Sequence, residues 1–376
     1  MSENKATAIA TALKKKIEDG KYGAGNPMPS VRALMRQHGV ARSTANRALQ
    51  ELSRMGLVWT SRGSGTFVRR RSVHTIGMIV PGVAVTDFFQ PIMSEINQLA
   101  RAAGCTLVFA EVFSLERKER FRQVRDLAAD FIKRGVSGVI YEPLAEPNGN
   151  AANEHILRAM RRARIPVVLL DCDLFPFPDR SEYDVVGVND VEAGAKIARH
   201  LVEAGAKKIH FLISSLRPTT FLNRLYGAEA ELIRRGLFEK DSVLHAEPDD
   251  LAALKRHIRR HGKPDAFVCS NDPSAALFCK TLEKVGLSVP RDILLTGFAD
   301  LSIASLMTPT LTTIHQSRDK MGEAAFRRLM DRIANPSLPP CDIFFPAPLV
   351  VRGSTEKGKV LAQRRRVAEV MMKDVE

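Results

Sequence analysis

The sequence has little material for several classes of protein. Its five cysteines are scattered and form no Cys-x-x-Cys pair, so neither a disulfide framework nor a zinc site is expected. The most apolar stretch, residues 76–85, contains Pro81 and is far shorter than the ~18 residues that a membrane-spanning helix needs. The first 20 residues lack the apolar core of a secretory signal, and we therefore expect a cytoplasmic protein.

Motifs of catalysis are also missing. The sequence contains no Gly-x-Ser-x-Gly, no Gly-x₄-Gly-Lys-Ser/Thr, no Gly-x-Gly-x-x-Gly after an apolar strand and no His-Glu-x-x-His. The nine histidines show no metal-ligand spacing. Two pairs of carboxylates, Asp171/Asp173 and Asp249/Asp250, are typical of residues that cap loops or helices. The first pair could instead bind the hydroxyl groups of a ligand. We expect that the protein is not an enzyme and that it binds neither a metal nor a cofactor.

Positive charge is concentrated at one end of the chain. Residues 1–72 hold 14 Lys and Arg against four Asp and Glu, whereas the other 304 residues contribute only +4 of the total net charge of +14. The length of 376 residues and the 45% hydrophobic content allow two to three domains with their own cores. A basic head on a nearly balanced body indicates that the head binds a polyanion.

The basic head has the pattern of a winged helix-turn-helix domain. Apolar residues at helical spacing predict helices over 7–19, from 31 and over 41–55, with Ser30 as the cap of the second. Two short apolar strands, 57–60 and 66–68, flank a glycine-rich turn that carries Arg62. The third helix has a polar face with Arg and Asn side chains, which suit guanine and adenine edges in a major groove.

Four sequence runs of the head resemble the GntR-type DNA-binding domain. They are residues 29–32, 41–49, 56–57 and 62–68. The resemblance implies DNA contacts from the second helix and from the start of the third, that is, from Arg32, Arg42, Ser43 and Thr44. Asn46 stands where that family often has arginine, which favours adenine there. With the rest of the polar face and the wing, the expected DNA-binding set is completed by Ser30, Asn46, Arg47, Arg62, Gly63 and Gly65.

The body alternates short apolar runs with helical patterns. Strands are predicted at 75–80, 105–112, 138–141, 166–171, 184–188, 209–214, 266–270 and 293–297. Helices are predicted at 90–103, 121–134, 155–164, 191–204, 223–235, 251–261 and 274–285. This alternation is typical of α/β folds with parallel sheets covered on both faces. We expect a head over 1–70, a linker over 71–74, two doubly wound lobes over 75–352 and a tail over 353–376 that is either helical or disordered.

Polar groups at the predicted strand ends are the candidates for a ligand site. Clustered hydroxyl-binding groups beside aromatic rings are the composition of a carbohydrate pocket, and ligands of such folds bind at the carboxyl ends of the strands. The candidate effector-binding residues are Asp87, Phe88, Phe89, Glu142, Asp171, Arg224, Asn271, Asp272 and Asp300.

Five runs of the body resemble the effector domain of LacI/GalR-type repressors, which share their fold with periplasmic binding proteins. They lie at 76–89, 186–194, 221–227, 270–272 and 297–314, and the last is the most specific. The resemblance implies ligand contacts from Arg224, from the aromatics after the first strand and from an aspartate near Gly297, where this chain has Ala299 followed by Asp300. A GntR-type head on such a body, with Glu142-Pro143, is similar to the arabinose-repressor type of regulator.

These features together predict a ligand-responsive transcriptional regulator. We expect a homodimeric repressor of sugar-utilisation genes that binds double-stranded operator DNA and is released when a small sugar-like effector closes the lobes. Two alternatives remain. A cytoplasmic solute-binding protein would share the body fold but has no use for the basic head. A GntR-type regulator fused to an enzyme would show cofactor absorbance in the purified protein.

Overall fold

The computed structural model describes residues 2–23, 25–61, 65–68, 74–81, 87–112, 117–145, 151–214 and 218–356. The chain divides into two compact units, Met1–Val73 and His74–Glu376, which we call the head and the body. No helix within the described ranges is long and apolar enough to cross a membrane.

The head contains three helices and a hairpin. The helices are α1 (Ser2–Glu18), α2 (Val31–His38) and α3 (Arg42–Arg54), and the antiparallel hairpin consists of β1 (Val58–Ser61) and β2 (Gly65–Val68). Ser30 begins α2 because its Oγ accepts a hydrogen bond from the Ala33 N–H at 3.1 Å. Gly39, with φ of 59°, ends it in the left-handed conformation that glycine tolerates best. The predicted order of elements is confirmed.

The core of the head forms where the three helices meet. Leu13 of α1, Leu34 of α2 and Leu52 of α3 are each at most 1% exposed. Val58 and Val68 close this core from the hairpin side. The apolar stripe of α3 therefore faces inward, and its polar face is left on the surface.

The first lobe of the body is built on a six-stranded parallel sheet. Its elements in chain order are β3 (Thr75–Pro81), α4 (Phe89–Ala102), β4 (Thr106–Val112), α5 (Arg117–Arg134), β5 (Gly138–Tyr141), α6 (Ala151–Arg162), β6 (Val167–Asp171) and β7 (Asp184–Val188). The sheet order is β13-β7-β6-β5-β3-β4, where β13 (Asp342–Phe345) comes from near the end of the chain. Helices pack on both faces, which is why β5 and β7 are buried along their whole length.

The second lobe contains a four-stranded parallel sheet. Its elements are α7 (Asp190–Glu203), β8 (Ile209–Ile213), α8 (Thr219–Arg234), β9 (Val243–His245), α9 (Leu251–His261), β10 (Ala266–Cys269), α10 (Asp272–Glu283), β11 (Leu294–Thr296), α11 (Ser302–Leu306) and β12 (Thr313–Ile314). The sheet order is β11-β10-β8-β9, and every pairing in it is parallel. The expected pair of doubly wound lobes with parallel sheets is confirmed.

The end of the chain returns to both lobes. It comprises α12 (Arg318–Ala334), β13 (Asp342–Phe345), β14 (Leu349–Val350) and the 3₁₀ helix Gly353–Thr355. Helix α12 packs on α4, β13 pairs with β7 in the first lobe, and β14 pairs with β12 in the second. The chain thus passes between the lobes at 188–190, 315–317 and 346–348. Ser354 and Thr355 are buried, so the packed body extends past the boundary at 352 that we expected.

Two elements of the first lobe, α12 and β13, were not predicted from the sequence. Strand β13 has four residues and lies between Pro340 and Pro346 at the edge of the sheet, so its pattern is too short to identify. Helix α12 is held down by Asp184, which begins β7 and accepts hydrogen bonds from Arg328 and Arg332 while fully buried. Local periodicity gives no sign of this long-range ion pair.

Candidate DNA-binding and effector sites

The polar face of α3 is the candidate DNA-contacting surface of the head. Arg42, Ser43, Asn46 and Arg47 are exposed on it, and Thr44 is half-buried. The opposite face of α3 is buried in the core of the head. The side chains expected to read bases therefore all lie on one exposed helix face, as a recognition helix requires.

The remaining candidates of the head belong to α2 and to the predicted wing. Arg32 is exposed on α2, whereas the Ser30 hydroxyl is occupied in capping the same helix. Gly65 begins β2 with φ of 114°, a conformation that a side chain would strain. Arg62 and Gly63, at the tip of the predicted wing, lie outside the described residues.

Arg224 is the centre of the candidate effector site in the body. The residue is 9% exposed. Its Nε donates to Asp190 Oδ1 at 2.7 Å, and its Nη1 donates to the carbonyl oxygen of Ser270 at 2.8 Å. The guanidinium carbon lies 3.4 Å from the centroid of the Phe298 ring. Stacking on one face and hydrogen bonds in the plane fix the guanidinium in a single orientation.

Two carboxyl groups, Asp190 and Asp171, lie beside this arginine, and a third, Glu142, adjoins Asp171. Burial raises the pKa of Asp190 to about 7 although the Arg224 guanidinium lowers it, and burial also raises the pKa of Asp171. Asp171 Oδ1 accepts a hydrogen bond from Gln316 Nε2 at 3.3 Å. Burial, together with the neighbouring Asp171, raises the pKa of Glu142 well above its ordinary value. The buried Oε2 of Glu142 has no hydrogen-bond partner among the described residues.

The topology explains why these groups meet. Strands β5, β6 and β7 are neighbours in the parallel sheet, and Glu142, Asp171 and Asp190 follow or end them at the same edge. Asp190 and Gln316 lie at two of the segments where the chain passes between the lobes. We call Glu142, Asp171, Asp190, Arg224 and Gln316 the carboxylate cluster.

Two glycines allow Arg224 to reach this edge. A Cβ atom on Gly194 of α7 would lie 1.9 Å from the carbonyl oxygen of Arg224, and one on Gly227 of α8 would lie 1.8 Å from that of Val191. Helices α7 and α8 therefore touch backbone to backbone, which sets the distance between Asp190 and Arg224.

Asn271 and Asp272 are occupied with structural contacts. Asn271 Oδ1 caps α10 by accepting the Ser274 N–H at 2.9 Å. Asp272 is fully buried, and its two oxygens accept from the Leu301 N–H at 2.7 Å and the Thr313 hydroxyl at 2.6 Å. Burial raises the pKa of Asp272 to about 6. The structure does not bring these two residues into the carboxylate cluster.

Asp87 and Asp300 connect the lobes. Asp87 of the first lobe accepts hydrogen bonds from the backbone N–H and hydroxyl of Ser302. Burial alone would raise the pKa of Asp300, but Arg352 at 2.7 Å and His315 at 3.0 Å outweigh it, and this pKa is lowered. Arg318 donates to the carbonyl oxygens of both aspartates at 3.4 Å.

Phe88 and Phe89 are core residues in this structure. They are 8% and 5% exposed and form an edge-to-face pair with ring centroids 4.8 Å apart.

Three residues of the site, Asp190, Phe298 and Gln316, were not predicted from the sequence. Asp190 and Phe298 could have been identified from the sequence, because both closely follow a strand in runs that resemble the LacI/GalR type. Gln316 could not have been identified in this way, because its contact with Asp171 depends on how the chain returns between the lobes.

Comparison with known proteins identifies both parts of the chain. The family described as "Bacterial regulatory proteins, gntR family" matches residues 5–68, and "Periplasmic binding protein-like domain" matches residues 198–355. The arabinose metabolism transcriptional repressor of Geobacillus stearothermophilus is 26% identical over 360 residues, which cover 91% of this chain and 94% of the relative. The HTH-type transcriptional repressor PurR of Mannheimia succiniciproducens is 31% identical over 294 residues, which cover 76% of this chain and 82% of the relative.

Solved structures agree with the fold of the body. The transcription regulator CcpA of Lactococcus lactis superposes with a TM-score of 0.64 at 22% identity, covering 76% of this chain and all of that one. A LacI family transcriptional regulator from Enterococcus faecium with bound ribose gives a TM-score of 0.60 at 21% identity, covering 75% of this chain and 99% of that one. The chain therefore belongs to the ligand-responsive transcriptional repressors of the LacI/GalR type, and its DNA-binding head is of the GntR type.

Proposed function

We propose that the chain represses genes of sugar utilisation and leaves its operator when a neutral sugar occupies the carboxylate cluster. The observation that carries this proposal is the buried Oε2 of Glu142, which has no hydrogen-bond partner in the described part of the chain. A polar atom left unpaired in a buried site destabilises the protein, and a ligand hydroxyl, which can both donate and accept, removes this cost. The names of the arabinose repressor and of the ribose-bound neighbour support a sugar.

The charges of the cluster favour a neutral ligand over an anionic one. Three carboxyl groups meet two guanidinium groups here: Arg224 lies beside Asp171 and Asp190, and Arg120 acts on Glu142. Adding a phosphate or carboxylate would place a further negative charge beside them. Sugar hydroxyls can instead hydrogen-bond to the carboxyl groups and accept from Arg224, whose guanidinium is held on the buried Phe298 ring.

The effector would act by shifting the balance between two arrangements of the lobes. Asp171 belongs to the first lobe and Arg224 to the second, while Asp190 and Gln316 lie where the chain passes between them. A sugar that contacts all four stabilises the arrangement in which the lobes are close together. Only this differential affinity can change the affinity for DNA.

On DNA, we propose that α3 lies in the major groove. Arg42 and Asn46 would contact base edges, while Arg32, Ser43, Thr44 and Arg47 would set position and general affinity. A homodimer on a pseudo-palindromic operator fits this geometry.

The relatives are regulators, so we propose that the chain works by binding and not by catalysis. Because these relatives are bacterial repressors that bind DNA, we place the chain in the cytoplasm.

A thermal-shift screen of the full chain tests the sugar proposal. Pentoses and hexoses are compared with the corresponding sugar phosphates at equal concentration. A neutral sugar at 100 times its dissociation constant should add about 2.7 kcal/mol to the free energy of unfolding. Glu142→Gln should weaken that sugar, whereas Glu203→Gln, an exposed change at the end of α7, should not. Stabilisation by sugar phosphates alone would contradict the proposal.

A further inference from the structure

A cavity begins at the carboxylate cluster. It has a volume of about 190 Å³, and both Asp171 and Asp190 line it. From there it extends between the loop 172–183, which connects β6 to β7, and the edge strand β13. Glu142, Gln316 and Phe298 are not among the described residues that line it. The cavity is therefore a neighbour of the cluster and shares only two carboxyl groups with it.

The loop 172–183 is fixed at both ends and to the second lobe. The Asp173 carboxylate accepts from the backbone N–H groups of Leu174 at 2.6 Å and Ser181 at 2.9 Å, which closes the base of the loop. The Thr219 hydroxyl donates to the Asp173 carbonyl oxygen at 2.7 Å, and the Phe177 N–H donates to Asn223 Oδ1 at 2.8 Å. Thr219 and Asn223 belong to α8, the helix that carries Arg224. The wall of the cavity is thus held in place before any ligand arrives.

Two exposed phenylalanines face this cavity. Phe177 on the loop is 58% exposed, and Phe344 on β13 is 49% exposed. Between the same two segments, Arg180 Nη2 donates to Asp342 Oδ1 at 2.6 Å. Exposed rings beside fixed carboxylate and guanidinium groups are suited to a sugar ring, whose C–H face packs on an aromatic ring while its hydroxyls bind the polar groups.

We infer that this cavity is a second sugar subsite, so that the effector is a disaccharide or glycoside whose outer ring packs on Phe177 and Phe344. The inference rests on the proposed function. The cluster holds the inner ring, and Asp171 and Asp190 lie at the junction of the two subsites. A ligand that fills both is longer than one ring.

Isothermal titration of the full chain tests the inference with matched pairs of sugars. The probes are arabinose and arabinobiose, xylose and xylobiose, glucose and cellobiose, and glucose and maltose. At least one disaccharide should bind at least tenfold more tightly than its monosaccharide. Phe177→Ala and Phe344→Ala should each weaken that disaccharide about tenfold and leave the monosaccharide unchanged within twofold.

A control and a second readout separate the outcomes. Phe238→Ala removes a ring that is 43% exposed outside the cavity lining, and it should change neither affinity. Thermal melting should show that all three variants are folded, because the deleted rings are exposed. Equal affinity for both members of every pair, or equal losses for both in Phe177→Ala, would overturn the second subsite. Failure of every sugar to bind would overturn the proposed function itself.

Discussion

Arg224 is the residue on which the effector site depends most. It is bonded to Asp190 and Ser270 and is packed on Phe298. Arg224→Ala would leave Asp190 buried without its cation and would remove the donor that a sugar oxygen needs. We expect this variant to bind operator DNA as the wild type does and not to release it when the effector is added. Fluorescence anisotropy of labelled operator across an effector titration measures both properties.

The matched control for Arg224 is Arg199→Ala. Arg199 lies on α7, is half-exposed and pairs with Glu231, away from the cluster. Its loss should leave the effector response intact. If Arg224→Ala responded at the wild-type effector concentration, Arg224 would have no place in the site. If it failed to bind operator without effector, its role would be in folding.

His257 makes the stability of the second lobe dependent on pH. Burial, with His210, His261 and Lys208 nearby, lowers the pKa of His257 to about 4, against 6.5 for an ordinary histidine. His257 hydrogen-bonds His210, which in turn meets Glu239. Below pH 6.5 the unfolded chain binds the proton more readily than the folded chain, so the contribution of His257 to stability falls as the pH drops from 6.5 towards 4.

Urea unfolding of wild type and His257→Asn at pH 7.5 and 5.0 checks this dependence. The wild type should lose more stability between the two pH values than the variant does. Buried carboxyl groups with a raised pKa, such as Asp190, have the opposite dependence and are common to both proteins. Identical losses in the two proteins would show that His257 does not titrate in this range.

At the scale of elements, the contact between α7 and α8 sets the geometry of the cluster. A Cβ on Gly194 would collide with the backbone of Arg224, which a rotamer change cannot relieve. Gly194→Ala should therefore push the helices apart, cost about 1–3 kcal/mol of stability and weaken the effector response. Glu192→Ala, an exposed change on the same helix, is the control for both thermal melting and effector titration.

Variants at the two ends of helix α3 should distinguish sequence-specific DNA affinity from general DNA affinity. Arg42 is exposed at its first turn, and Arg54 is exposed at its last. Arg42→Ala should cost about 1–3 kcal/mol on the best operator and little on random DNA, because a base contact is lost. Arg54→Ala should affect both DNAs slightly and equally. Equal losses on both DNAs for Arg42→Ala would assign that side chain to the phosphate backbone.

Elements with a strong local pattern were predictable. The stripe of α3, the buried run of β7 and the cap at Ser30 all follow from neighbouring residues, and the structure has them within a few positions of the prediction. Strand β13 was not predictable, because its four residues are defined by pairing with β7, more than 150 positions earlier. Helix α12 was predictable and was missed, because Met321, Ala325 and Leu329 are buried at helical spacing; only its ion pair with Asp184 is long-range.

At the scale of the whole molecule, sequence reasoning located the edge of the sheet at which the site lies and only part of the site itself. Glu142, Asp171 and Arg224 were predicted and lie together in the structure. Asp87 and Asp300 were predicted from the same strand-end rule but connect the lobes, through Ser302 and Arg318 respectively. The rule selects an edge, and only the tertiary structure decides which side chains at that edge are occupied by protein partners.

The central claim is that occupation of the body by a neutral sugar releases DNA from the head. The most direct measurement is fluorescence anisotropy of the full chain on its selected operator, with the sugar that stabilises it in the thermal-shift screen as titrant. We predict release at sugar concentrations near its dissociation constant in the wild type and no release in Arg224→Ala. Sugar binding that leaves the operator affinity of the wild type unchanged would contradict the account.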